Sequence, residues 1–249
     1  WDSTKEPHRE TSMPVGKYKF HETYAPDGYC IATDIEFEVA SEKVDGVNKC
    51  VVKIGGTNVT AKSTDDVPLV VMVDEATKVW IYKLDENGNN LPGAKIKIVD
   101  NLGKVVDEFT SDVEPYKLEA KLVAGLEYKL VEDEAPGGYY YSGDVSFTVS
   151  LSGEIDIVNM EDTPIIVELS KKALTGEDEL PGAKIQVIDE DGNVIDEWLS
   201  TDKPHVIDFT KLIAGKSYKM HEIVPAPGYN LTSDIEFDIT KTDNGKVIS

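Results

Sequence analysis

Cysteine is scarce, with 2 in 249 residues, which excludes a disulfide-dense scaffold. Positive charge is also scarce: 25 Lys and Arg stand against 47 Asp and Glu, a formal net charge of -22. With no basic footprint to neutralise phosphates, nucleic acid is excluded as a partner, and anionic membrane surfaces repel the chain. No apolar run approaches the roughly 20 residues that span a bilayer, so no membrane insertion is expected. No basic-then-apolar leader opens the chain at Trp1-Asp2-Ser3-Thr4. Nucleophile–His–acid sets, phosphate loops and Cys/His clusters are missing, so neither an enzyme with turnover nor a cofactor or metal is expected. Helical periodicity of useful length is missing too.

What is present repeats. Tyr18-Lys19-Phe20-His21-Glu22 leads into Ala25-Pro26-Asp27-Gly28-Tyr29. Tyr128-Lys129-Leu130-Val131-Glu132 leads into Ala135-Pro136-Gly137-Gly138-Tyr139, and Tyr218-Lys219-Met220-His221-Glu222 into Pro225-Ala226-Pro227-Gly228-Tyr229. Each Glu precedes its Gly-Tyr by the same interval (22 to 29, 132 to 139, 222 to 229). Each copy then reaches a short alternating segment ending in Phe37, Phe147 or Phe237. A second motif, Leu91-Pro92-Gly93-Ala94-Lys95, recurs as Leu180-Pro181-Gly182-Ala183-Lys184. The unit is a small domain, not a solenoid turn.

Short Val-, Ile-, Tyr- and Phe-rich runs alternate with polar residues and are separated by turn signals. The expected fold is all-β, with tandem immunoglobulin-like sandwiches. Trp1 through His8 aligns with Trp198 through His205, so three units are expected. Residues 1–76 are the back part of a first, 77–164 a complete second, and 165–249 a third that stops after Asn244-Gly245-Lys246-Val247 without its last strand.

Certain charges fall on apolar faces. Side chains of a strand alternate with period two, so Lys83 shares a face with Val79 and Ile81, Glu132 with Tyr128 and Leu130, and Asp162 with Met160. Asp74, Lys171, Glu22 and Glu222 end similar stripes. Two plain readings stand beside a functional one: strand ends emerging into water, and a buried salt bridge.

These residues carry a resemblance. Lys83, Leu91-Pro92-Gly93-Ala94, Glu132 and Ala135-Pro136 with Gly138-Tyr139 resemble the Cna-B-type domains of Gram-positive surface adhesins and pilins. The resemblance implies an intramolecular isopeptide bond: Lys83 joined to Asp162, with Glu132 as the proton shuttle. Asn159 is the alternative acceptor, on the opposite face by parity. Glu22 and Glu222 correspond to the glutamate in the outer units. Asp74 and Lys171 are isopeptide residues lacking a partner in this chain. The resemblance also implies a structural stalk on the cell-wall-attached, extracellular surface of a Gram-positive bacterium. The expected form is a monomeric extended chain beside neighbouring surface-protein domains. The alternative is an adhesive module for host extracellular matrix or another bacterial surface protein.

Weaker signals remain. Cys30 and Cys50 are a possible disulfide if the chain is secreted, although a hairpin turning at Val44-Asp45-Gly46 does not set them opposite each other. His21 and His221 precede the glutamates and therefore face outward. Asp189, Asp191, Asn193 and Asp196 loosely suggest a calcium loop, but their spacing fits a polar turn better.

Overall fold

The computed structural model describes residues 1–65, 67–141 and 143–240, with the backbone alone of Val44. Among the described residues the regular elements are all β-strands except one 3₁₀ turn at Phe209–Lys211. They form two compact units. One is Trp1–Lys78 with Leu118–Gly125 and Val149–Ile155; the other is Val79–Lys117, Leu126–Thr148 and the chain from Asp156 onward. The expected end of the third domain after Asn244-Gly245-Lys246-Val247 lies outside the described residues.

The first unit holds a four-stranded antiparallel sheet in the order β1 (Gly16–Phe20), β2 (Ile35–Val44), β3 (Val47–Ile54), β4 (Thr57–Asn58). Asp45 and Gly46 both carry positive φ (54° and 80°), the tight two-residue hairpin that an Asp-Gly pair favours. That turn puts Val44 opposite Val47, and hence Ser41 opposite Cys50. Cys30 is instead buried elsewhere, its thiol donating to the Ser150 carbonyl (3.6 Å). Both cysteines are therefore free, which corrects the possible Cys30–Cys50 disulfide. Val70 through Asp74 alternates between half-buried and exposed but joins no strand ladder among the described residues.

The chain continues through β5 (Lys78–Leu84), β6 (Lys95–Asp100), β7 (Val105–Thr110), β8 (Tyr116–Glu119), β9 (Glu127–Glu134), β10 (Tyr139–Tyr140), β11 (Val145–Thr148), β12 (Ile155–Glu161) and β13 (Thr163–Pro164). One sheet runs β12-β5-β8 and the other β11-β9-β6-β7. Val79 and Ile81 of β5, Ile96 and Ile98 of β6, Leu130 of β9 and Met160 of β12 are fully buried, so the two sheets close as a sandwich. The last stretch has β14 (Glu168–Leu169), β15 (Lys184–Asp189), β16 (Val194–Leu199), β17 (His205–Val206), β18 (Ser217–Val224) and β19 (Ile235–Asp238). Its main sheet runs β16-β15-β18-β19.

The repeats share contacts as well as letters. Tyr18–Phe37, Tyr128–Phe147 and Tyr218–Phe237 are directly opposed across neighbouring strands and stack at 5.6, 6.0 and 5.7 Å. Such cross-strand aromatic pairs lock register. Trp1–His8, Phe109–Tyr116 and Trp198–His205 stack at 4.0, 4.0 and 4.1 Å, each pair with the same sequence spacing.

Candidate functional site

Period-two alternation turns Val79, Ile81 and Lys83 of β5 inward, and likewise Tyr128, Leu130 and Glu132 of β9. Val158, Met160 and Asp162 continue the pattern at the end of β12. The lysine and the aspartate come from neighbouring strands of one sheet, and the glutamate faces them from the other. Their side chains are 0%, 0% and 1% exposed, so water is excluded. Lys83 Nζ lies 3.1 Å from Glu132 Oε1 and donates to Asp162 Oδ1. Asn159, the alternative acceptor, is exposed.

Backbone geometry brings the pair together. Asp162 N donates to Leu84 O (3.0 Å), while Lys78 Nζ donates to Gly153 O (3.3 Å). Start lies by start and end by end, so β5 and β12 run parallel. Burial, above all, pushes the Glu132 carboxyl up to about 7; Lys83 opposes that shift and Asp162 adds to it. An ion triad in such a site is costly. A neutral amine against a carboxylic acid, however, is the reactant pair of amide condensation.

The Leu-Pro-Gly-Ala loop has a positioning task that the sequence reading missed. Leu91 N donates to Lys83 O (2.8 Å), fixing the lysine's backbone. The loop itself is clamped by Ser111, which donates to Leu91 O (2.7 Å) and accepts from Ala94 N (2.9 Å). Ser200 repeats this with Leu180 O (2.6 Å) and Ala183 N (2.9 Å). The equal spacing from Gly93 to Ser111 and from Gly182 to Ser200 was the available signal.

The outer copies hold parts of the same set. Burial, then the nearby Glu22 carboxylate, pushes the Asp74 carboxyl up. Lys171 Nζ lies 3.0 Å from Glu222 Oε1. Glu22 accepts from Ala32 N and Glu222 from Thr232 N, both at 2.8 Å, which aims each carboxyl the same way. His21 and His221 point outward and pair with Asp34 and Asp234 (2.5 and 2.6 Å). Asp189 accepts from Asp191 N and Asn193 N (3.0 and 2.8 Å), a turn that Asp85 repeats with Asn87 and Asn89. That turn accounts for the calcium-like spacing. Among the described residues no three His, Cys, Asp or Glu side chains are grouped to hold a metal.

No curated protein matches the chain. Several solved structures do. The Bacillus anthracis TIE protein is 24% identical, with 91% of this chain and 40% of that one covered, at a TM-score of 0.43. The present chain thus spans well under half of that protein's length. The Lactobacillus rhamnosus GG shaft pilin SpaA is 12% identical over 67% of this chain and 94% of its own, at 0.32. A streptococcal ancillary pilin is 18% identical over 86% and 73%, at 0.35. A family model matches twice, over residues 77–164 and 166–249. The chain belongs to the SpaA prealbumin-like fold domain family.

Proposed function

We propose that this chain is a stalk segment of a Gram-positive surface adhesin or pilin, whose domain 77–164 closes an amide between Lys83 and Asp162. The observation that carries this reading is the water-free meeting of Lys83, Glu132 and Asp162. Residues 1–76 are the back part of a preceding domain of the same kind.

The chemistry balances without a further reactant. The neutral Lys83 amine attacks Cγ of the protonated Asp162 carboxyl. An N–C bond forms, a C–O bond breaks, and one water leaves. Glu132, poised near neutrality, gives a proton to the departing oxygen and takes one from the amine. Folding converts an unfavourable bimolecular condensation into an intramolecular step. The event happens once per molecule.

Its use is mechanical. Force entering at Lys78 runs along β5 to Lys83, crosses the amide to Asp162 and leaves at Thr163. The chain between stays out of the load path. Partners are neighbouring domains of surface proteins, and the setting is the cell exterior.

Intact mass decides. Condensation removes about 18 Da as water, against about 17 Da as ammonia had Asn159 been the acceptor. Glu132→Ala and Asp162→Ala should both restore the full mass. A wild-type chain at its sequence mass would falsify the amide and leave a buried salt bridge.

A further inference from the structure

The loop that follows Glu132 does not end within its own domain. Gly138 N donates to Leu212 O and Ile165 N donates to Gly138 O, both at 2.7 Å. Tyr140 is 1% exposed, yet it packs with Ile165, Val187, Leu212 and Tyr218, in the core of domain 166–249. Tyr139 meets Phe209 of that domain edge to face, with ring centroids 5.6 Å apart. Gly138 has φ +90°, and a Cβ there would meet the Phe209 ring and carbonyl at 2.8 Å. A glycine is therefore required by conformation and by the close approach.

The same two tyrosines hold the acceptor. They form β10, which pairs with Thr163 and Pro164 of β13, the two residues directly after Asp162. Burial, then the carboxylates of Glu86, Asp85 and Asp162, pushes the Tyr139 phenol up. A ladder of two residues per strand is not stable by itself. It persists here because Tyr140 is anchored in the next core.

We infer that docking of domain 166–249 onto Gly138, Tyr139 and Tyr140 positions Asp162 against Lys83, so that the second domain condenses only once its successor has folded. This rests on the amide reading above. Without the anchor β10 and β13 part, Asp162 loses its register, and a misplacement of about 1 Å slows such a reaction on the order of a hundredfold. Tyr139, Tyr140 and Phe209 act as positioning residues. The condensing atoms remain those of Lys83 and Asp162, with water as the leaving group.

The test is cell-free synthesis of the full chain, with aliquots quenched in acid and weighed intact. Gly138→Val, Phe209→Ala and Tyr139→Ala should lose water at least about tenfold more slowly than wild type. Tyr139→Phe keeps the edge contact and should restore the wild-type rate. Gly28→Val is the control: Gly28 has φ +87°, crowds Ala120, and its carbonyl accepts from Thr77 N, at the entry of β5 and not its exit. It should condense normally. Wild-type rates in Gly138→Val and Phe209→Ala overturn the positioning role while the amide stands. An equal slowing in Gly28→Val also overturns it, as general destabilisation. A wild type that never loses mass overturns the amide, and this inference with it.

Discussion

Lys83 and Asp162 meet at the exits of two parallel neighbouring strands, although 79 residues separate them in the chain. Parallel neighbours load in shear when pulled from their outer ends. A tie at their exits shortens the loaded path to one strand and one bond. From this geometry and its surroundings four expectations follow beyond the mass measurements.

Removing the tie should cost much more than removing the rejected acceptor. A cross-link closing a loop of this length is worth about 4 kcal/mol, and Asp162→Ala also leaves the Lys83 amine buried opposite Glu132 alone. Asn159→Ala, at an exposed position, should stay within about 0.5 kcal/mol. Scanning calorimetry of the two variants reads the difference. Equal midpoints contradict the tie.

The condensation rate should fall with rising pH. Glu132 must carry a proton to assist the departing oxygen, and its carboxyl is pushed up to about 7. Above that value the protonated fraction falls about tenfold per pH unit, and the rate falls with it. Glu132→Gln should be slow and lose this profile. The measurement is mass loss against time in buffers on both sides of neutrality, and a flat wild-type profile removes Glu132 from the mechanism.

Asp74→Asn should stabilise the first unit at neutral pH more than in acid. Burial and then Glu22 raise the folded-state value of Asp74 above its ordinary one. Its stabilising contribution is therefore present in acid and lost as pH rises through the folded value. The amide removes that loss. Urea midpoints at acid and neutral pH, followed by hydrogen exchange in β1 to β3, measure it. A gap between variant and wild type that does not change with pH argues against a raised Asp74 carboxyl.

Tyr140→Phe and Tyr140→Ala should separate sharply. The Tyr140 hydroxyl is buried with no hydrogen-bond partner among the described residues, so deleting it is near neutral or slightly stabilising. Deleting the ring opens a cavity among Ile165, Val187 and Leu212 and should cost about 3–5 kcal/mol in domain 166–249. Thermal unfolding followed by near-ultraviolet circular dichroism distinguishes the two. A small loss for the alanine would place Tyr140 outside that core.

Much of this was legible along the chain. Period-two alternation put Lys83, Glu132 and Asp162 on apolar faces and turned Asn159 outward. Strand geometry is local, so parity survives folding. The Asp45-Gly46 turn already argued against opposing Cys30 and Cys50. What was not legible depended on distant partners. Nothing along the chain marks Ser111, because its two bonds go to a loop 17 and 20 residues earlier. Tyr140 read as part of its own domain, because adjacency in sequence does not say across which boundary a side chain is buried. Val70 through Asp74 has the alternation of a strand, yet it joins no ladder among the described residues. Alternation specifies faces, whereas a strand also needs a neighbour to bond.

The amino-acid sequence by itself determined the repeat, the all-β class and which ionisable groups turn inward. Those follow from the spacing of residues along a pleated backbone. Only the tertiary structure decided that Lys83 and Asp162 lie on adjacent parallel strands, that Glu132 meets them from the opposite sheet, and that Tyr140 crosses into the next core. Those contacts arise from the packing of sheets, where distance in the chain no longer measures distance in space.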